Sequence, residues 1–199
     1  MSRILELAFD EVKNTKCSFR DDGRTLVIND AFIFWSNFEG KENKWKNSAR
    51  TFNVAIDEET AAYLQETGWK VRMEILDEDV DMKDDQAVAN ARKVFFVNIK
   101  VNMESAYPPV VKLFSESRGK KSQTILDINT IGILDRTDIK TADCVINAYS
   151  SKNFPGKVSG YLKQLYVIQE PNIDFNGKYD DWMDDEETLG TNISDDNPF

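Results

Sequence analysis

Histidine is absent from all 199 residues. That removes the commonest general base and the commonest nitrogen ligand for zinc, and it rules out a Ser/His/Asp triad. There are two cysteines, Cys17 and Cys144. They are too few for a disulfide framework and lack metal-ligand spacing, so both are expected as thiols in a reducing compartment. No stretch approaches the roughly 18 apolar residues of a membrane span. The opening "MSRILELAFDEVKNTK" is charged early and has no signal-peptide apolar core, which predicts residence in the cytoplasm. No phosphate-cradling GxxxxGK[ST] loop is present. The chain is therefore expected to have no cofactor and not to be an enzyme.

What is present is ordinary in kind and uneven in placement. Hydrophobic content of 41% and charged content of 30% suit a globular chain of one domain with an appended tail. The net charge is −10. Residues 171–199 hold nine acidic groups and one lysine, a net of −8. The preceding 170 residues carry 24 basic and 26 acidic groups, a net of −2. An acidic total looks hostile to nucleic acid, but the body is nearly neutral and the acid is segregated. The final segment has few β-branched residues and many charges and turn formers. It cannot bury enough apolar area to offset its ordering entropy, so disorder is expected there.

Along the body, "RTLVINDAFIFWSNF" (24–38) reads as a strand or strand pair. "RTFNVAI" alternates Phe52, Val54 and Ile56 on one face, as a half-buried strand does. "DEETAAYLQETGW" predicts a short helix capped by Asp57 and stopped at Gly68. "WKVRMEIL", "ARKVFFVNIKV", "PPVVKLF" and "ILDINTIGIL" read as further strands. "DEDVDMKDDQ" and "SESRGKKSQT" read as an acidic and a basic loop. "CVINAYS" and "GYLKQLYVIQ" predict a closing hairpin. Seven to nine short strands with one short helix suggest a mainly β chain, folded as a small closed barrel with long loops.

Three basic loops carry aromatic rings. Residues 32–52 interleave Phe32, Phe34, Trp35, Phe38, Trp45 and Phe52 with Lys41, Lys44, Lys46 and Arg50. Single-stranded nucleic acid offers phosphates and unstacked bases together, and a groove lined by cations and rings binds both. Trp45 stands in "KENKWKN" without apolar neighbours and is either a stacking platform or a lid folded onto the barrel. Phe32, Phe34 and Phe52 suit a core better. "LFSESRGKKSQ" adds Arg118, Lys120 and Lys121. "YSSKNFPGKVSGYLK" adds Lys152, Lys157 and Lys163, with Phe154 at a turn tip beside Tyr149 and Tyr161. Each loop alone also reads as a solvated edge. The candidate nucleic-acid contacts are Trp35, Phe38, Lys44, Trp45, Lys46, Arg50, Lys112, Lys120, Lys121, Lys152 and Phe154. The acids Asp77 to Asp85 sit too close together on one loop to converge on a metal as a rigid catalytic pair does.

The last residues, "SDDNPF", join two acids to a proline and a ring. Such a segment suits docking of the ring into an apolar pocket bordered by cations; the plain alternative is a solubilising tail. "DDNPF" resembles the acidic tip of bacterial and phage single-stranded-DNA-binding proteins. "FWSNFEGKENKWKNSARTFNVAIDEETAAYLQETGWKV" and "DCVINAYSSKNFPGKVSGYLKQLYVIQE" are similar to the single-stranded-DNA-binding family of tailed phages and prophages. The resemblance spans about residues 25–199. It implies an oligonucleotide-binding (OB) barrel over 1–170 and a flexible acidic tail over 171–199. It also implies sequence-nonspecific binding and protection of single-stranded DNA in phage replication, recombination and repair, in the host cytoplasm. Replication and recombination proteins would dock on Asp195, Asp196, Pro198 and Phe199, and self-association is compatible. Two final acids followed by Asn197 depart from the longer acidic run of the family. The competing readings are a protein-interaction or virion-associated barrel, a nuclease, and an RNA binder, since stacking and phosphate contacts discriminate sugars poorly.

Overall fold

The computed structural model describes residues 3–170 apart from 21, 43–45, 47, 118–119 and 151–155, with only the backbone of Ser117. The elements run α1 (Arg3–Glu11), β1 (Lys16–Phe19), β2 (Thr25–Asn29), β3 (Ile33–Asn37), β4 (Thr51–Ile56), α2 (Glu58–Glu66) and β5 (Val71–Ile75). They continue as α3 (Asp85–Asn90), β6 (Lys93–Lys100), β7 (Val110–Ser117), β8 (Lys120–Leu126), a 3-10 helix (Ile131–Arg136), β9 (Ile139–Ser150) and β10 (Val158–Gln169). The chain is mainly β.

Ten strands form one sheet in the order β1-β2-β9-β10-β6-β4-β3, with β5 on β6, β7 on β10 and β8 on β7. The long antiparallel hairpin β9–β10 is its spine. One edge of β10 is shared. Gly160 and Tyr161 pair in parallel with Ile99 and Lys100 of β6, and Gln164 to Ile168 pair in parallel with Val110 to Phe114 of β7. A bulge between Leu162 and Gln164 marks the change of partner. The sheet curls enough for Leu26 and Ile28 of β2, Phe52 and Val54 of β4, Ile99 of β6, Val111 of β7, Ile146 of β9 and Leu165 of β10 to meet in one core. This is an OB-like barrel, but the expected closure fails among the described residues. The ladder ends at β1 on one side and β3 on the other, and no β1–β3 pairing joins the two ends.

Most predicted elements form. Asp57 caps α2, accepting from the Thr60 N–H at 2.8 Å. Gly68 ends that helix at φ 87°, where a Cβ would run into the Gly156 carbonyl, so glycine lets the helix end approach the start of β10. Other expectations need correction. β4 is buried on both faces rather than one, because α1 lays Leu5 and Ala8 over Phe34, Ala55 and Phe96 on the outer side of the sheet. α1 itself lay unnoticed in an opening read only for targeting signals. The acidic loop contains α3, since Asp84 accepts from the Gln86 and Ala87 N–H groups and starts a helical turn. Asp77 pairs with Arg92 at 2.9 Å, and Asp81 accepts from the Lys83 N–H, so these acids serve local structure. "SESRGKKSQT" contains the facing ends of hairpin strands β7 and β8. The strand expected at "ILDINTIGIL" breaks at Asp127. Its carboxylate takes the N–H groups of Asn129 and Thr130, and Ile131 to Arg136 then form the 3-10 helix.

Candidate nucleic-acid interface

Side chains alternate across a strand, so each residue beside an inward core residue faces out. On β6, Val97 and Ile99 enter the core while Asn98 and Lys100 face outward. On β10, Gly160 and Leu162 point inward. A Cβ on Gly160 would stand 2.7 Å from Trp69 Cζ3 and 2.8 Å from Ile99 Cδ1. Tyr161 therefore faces out. The bulge shifts this alternation by one residue, so that Leu165 and Val167 point inward and Tyr166 outward.

Two matched units result. Tyr161 is the register partner of Lys100, whose Nζ lies over the tyrosine ring at 5.3 Å from its centroid and 3.4 Å from Ser159 Oγ. Tyr166 is the register partner of Lys112, whose Nζ lies over that ring, also at 5.3 Å. Each unit has a second ring. Tyr149 meets Tyr161 at 5.7 Å and 78°, and Phe114 meets Tyr166 at 6.1 Å and 80°. Repeated along one strand, a ring and an ammonium together present a π-face and a positive charge.

The same outer face continues across β6, β4 and β3. Asn98 donates to Asn53 Oδ1 at 3.1 Å, and Asn53 donates to the Trp35 carbonyl at 3.4 Å. Arg72, Asn98, Thr51 and Asn37 line an open hollow of about 450 Å³. Trp35 stands at the far margin, 47% exposed, with its ring edge-on to Phe96 at 5.7 Å. From Phe96 to Lys100 the strand advances four residues, about 13 Å. The face thus carries rings at intervals, with amides and cations between them.

The sequence-predicted residues divide. Trp35 and Lys112 belong to this face. So does Lys121, the register partner of Glu116 on the exposed hairpin, while Lys120 alternates to its other side. Lys46 is exposed at φ 56° in the β3–β4 loop. Phe38 is a correction. It is fully buried and stacked on Phe52 at 5.2 Å and 26°, so its ring fills the core and is closed to a base. Arg50 is half-buried and donates from Nε to the Phe38 carbonyl at 3.0 Å, which makes it a tie within the loop. Glu39 draws Lys41 to 2.8 Å and Arg136 to 3.5 Å; the Lys41 hydrogen bond, followed by the two positive charges, holds its carboxyl below the usual range. Lys44, Trp45, Lys152, Phe154, Asp195, Asp196, Pro198 and Phe199 lie outside the described residues. Sequence reasoning did not single out Lys100, Tyr166, Arg72 and Asn98 of this face, and it named Tyr161 only among the rings of its loop without choosing it as a contact. Their one signal was outward alternation against buried neighbours, as in Val97-Asn98-Ile99-Lys100.

No curated protein matches the chain. Solved structures similar to it include the single-stranded DNA-binding protein from bacteriophage Enc34, at 8% identity and TM-score 0.39, covering 85% of this chain and 98% of that one. A C-terminal truncation of it matches at 9% and 0.37, covering 73% and 86%. Its complex with ssDNA matches at 9% and 0.37, covering 79% and 97%. A family model described as "Putative phage ssDNA-binding domain" matches residues 18–197, and the chain belongs to that family.

Proposed function

We propose that this chain binds single-stranded DNA without sequence preference, protecting it in phage or prophage replication and recombination, and does so through the outer sheet face from Trp35 to Tyr166. The observation that carries the reading is the repeated unit of an outward tyrosine with its register-paired lysine, Tyr161 with Lys100 and Tyr166 with Lys112. A base stacks on the ring while the ammonium meets the adjoining phosphate. Lys46 of the β3–β4 loop and Lys121 of β8 extend the same track, and Lys44, Trp45, Lys152 and Phe154 are further candidate contacts from the sequence alone. Residues 1–170 are the binding domain. Residues 171–199, at net −8, compete with DNA for the cationic face when it is empty, and once released they recruit replication and repair proteins through Asp195, Asp196, Pro198 and Phe199. A fluorescence titration with oligo-dT, oligo-U and duplex DNA tests the reading. Tight binding of oligo-dT over duplex supports it, and equal or absent binding refutes it. Truncation after Glu170 tightens oligo-dT binding at low salt if the tail competes; unchanged affinity sinks that part.

One observation favours a protein-interaction role instead. Val110, Ile125 and Ile168 are exposed on the β7–β8–β10 part of the face, with Ile125 at 66%. Retention on single-stranded DNA cellulose separates the two readings.

A further inference from the structure

Trp35 has a left-handed backbone, φ 46°, which a bulky residue adopts only where its surroundings impose it. The conformation belongs to a break in the β3–β4 register between Phe34 and Asn37. One carboxylate holds the chain at this break and just beyond it, taking one side-chain donor inside the break and two backbone N–H groups that follow it. Asp135 Oδ1 accepts from Ser36 Oγ at 2.6 Å and from the Phe38 N–H at 2.9 Å, and Oδ2 accepts from the Glu39 N–H at 2.8 Å. The three donors lie within four residues of Trp35 and almost a hundred positions before Asp135 in the chain.

The acceptor is itself held rigidly. Asp135 sits on the 3-10 helix, which is anchored by buried Ile131 and Leu134. That helix packs so tightly on the loop that a Cβ at Gly132 would lie 3.1 Å from Glu39 Cβ. On the other side of the bulge, Asn37 closes the base of the β3–β4 loop, accepting from the Lys41 N–H at 2.8 Å and donating to the Ala49 carbonyl at 3.1 Å.

We infer that Asp135 is the positioning residue of the nucleic-acid face: its carboxylate fixes the β3 bulge in the shape that turns the Trp35 ring outward. The inference rests on the proposed DNA-binding reading. Asp135 faces the bulge and its effect on DNA runs through Trp35. Alanine removes both acceptor oxygens and with them all three hydrogen bonds, and asparagine keeps one oxygen for the Ser36 and Phe38 donors while losing the one that accepts from Glu39.

The test uses the full chain with Trp35→Ala, Asp135→Ala and the double variant, titrated with oligo-dT. Each single variant is expected to weaken binding by about fivefold or more, the range for loss of one base–ring stack. The double variant should be no weaker than Trp35→Ala alone, because both changes remove the same contact. A general structural role would make the two losses multiply, which overturns the proposal. So would wild-type affinity in Asp135→Ala. Should that variant fail to fold by circular dichroism, Asp135→Asn is used, with a smaller loss of about two- to threefold that again vanishes without Trp35. A readout without DNA separates this proposal from the binding reading. Asp135→Ala, or Asp135→Asn in its place, shifts the tryptophan emission of the free protein in the wild-type background and leaves it unshifted in the Trp35→Phe background. An equal shift in both backgrounds overturns the positioning role whether or not DNA binds.

Discussion

Lys100 and Lys112 can be removed as charges while their stems stay, by Lys100→Gln and Lys112→Gln. Both ammonium groups lie 5.3 Å from the centroid of their tyrosine, on the outer face. If each meets one phosphate of a single strand, each contributes about −0.7 to the slope of log K against log salt. One substitution then flattens the slope by about 0.7, and both flatten it by about 1.4. Over a tenfold rise in salt, wild-type affinity falls about fivefold more than that of a single variant and about 25-fold more than that of the double variant. Folding stability changes by no more than about 1 kcal/mol per substitution, the loss of one exposed cation–π contact. The assay is fluorescence anisotropy with labelled oligo-dT between 50 and 500 mM salt, roughly the range over which such slopes are resolved. Parallel lines for wild type and double variant, whatever their offset, would refute the assignment of these lysines to phosphates.

Other predictions concern the frame that carries the face. Gly160→Ala places a Cβ 2.7 Å from Trp69 Cζ3 and 3.0 Å from Ile146 Cγ2, and is expected to cost about 1–3 kcal/mol in urea unfolding, the range for overpacking. A change within about 0.5 kcal/mol would show that Trp69 yields freely. Asp57→Ala removes the acceptor of the Thr60 N–H and hydroxyl, at 2.8 and 2.7 Å, and should cost about 1 kcal/mol. Burial is the main cause that pushes the Cys17 thiol up to about 11, and it raises buried Cys144 further. The unfolded chain then loses thiol protons before the folded one does. Stability is fully present below about pH 9 and falls as pH rises from there toward 11, with no alkaline loss of this kind in a Cys17→Ala, Cys144→Ala double variant.

Local chemistry was legible in the sequence wherever it was self-contained. The Asp57 cap and Gly68 stop bound α2, and the alternation of β9 and β10 announces their hairpin. The charge difference between residues 1–170 and 171–199 is visible by counting. Burial on both faces of β4 was not legible, because it depends on where α1 lands. The 3-10 helix was hidden because Ile131, Ile133 and Leu134 look like strand residues, and the turn that overrides them is set by the single carboxylate of Asp127. Basic residues in loops were easy to notice, but the matched lysines lie on strands, and of the two only Lys112 was a sequence candidate. Lys100 meets Tyr161 only because β6 and β10 pair in parallel, a contact between residues far apart in the chain. Phe38 was misread for the converse reason. It was chosen for its place among the rings and cations of residues 32–52, while in the fold it stacks on Phe52 inside the core.

The central claim is that the outward tyrosines hold unpaired bases. It is tested most directly by oligo-dT affinity at fixed salt for the wild type, for Tyr161→Phe with Tyr166→Phe, and for Tyr161→Ala with Tyr166→Ala. Phenylalanine keeps both π-faces and should bind within about threefold of wild type. Alanine loses two stacks of about 1–3 kcal/mol each and should bind at least about 25-fold more weakly. Wild-type affinity in the alanine protein, with its fold intact, would contradict the account.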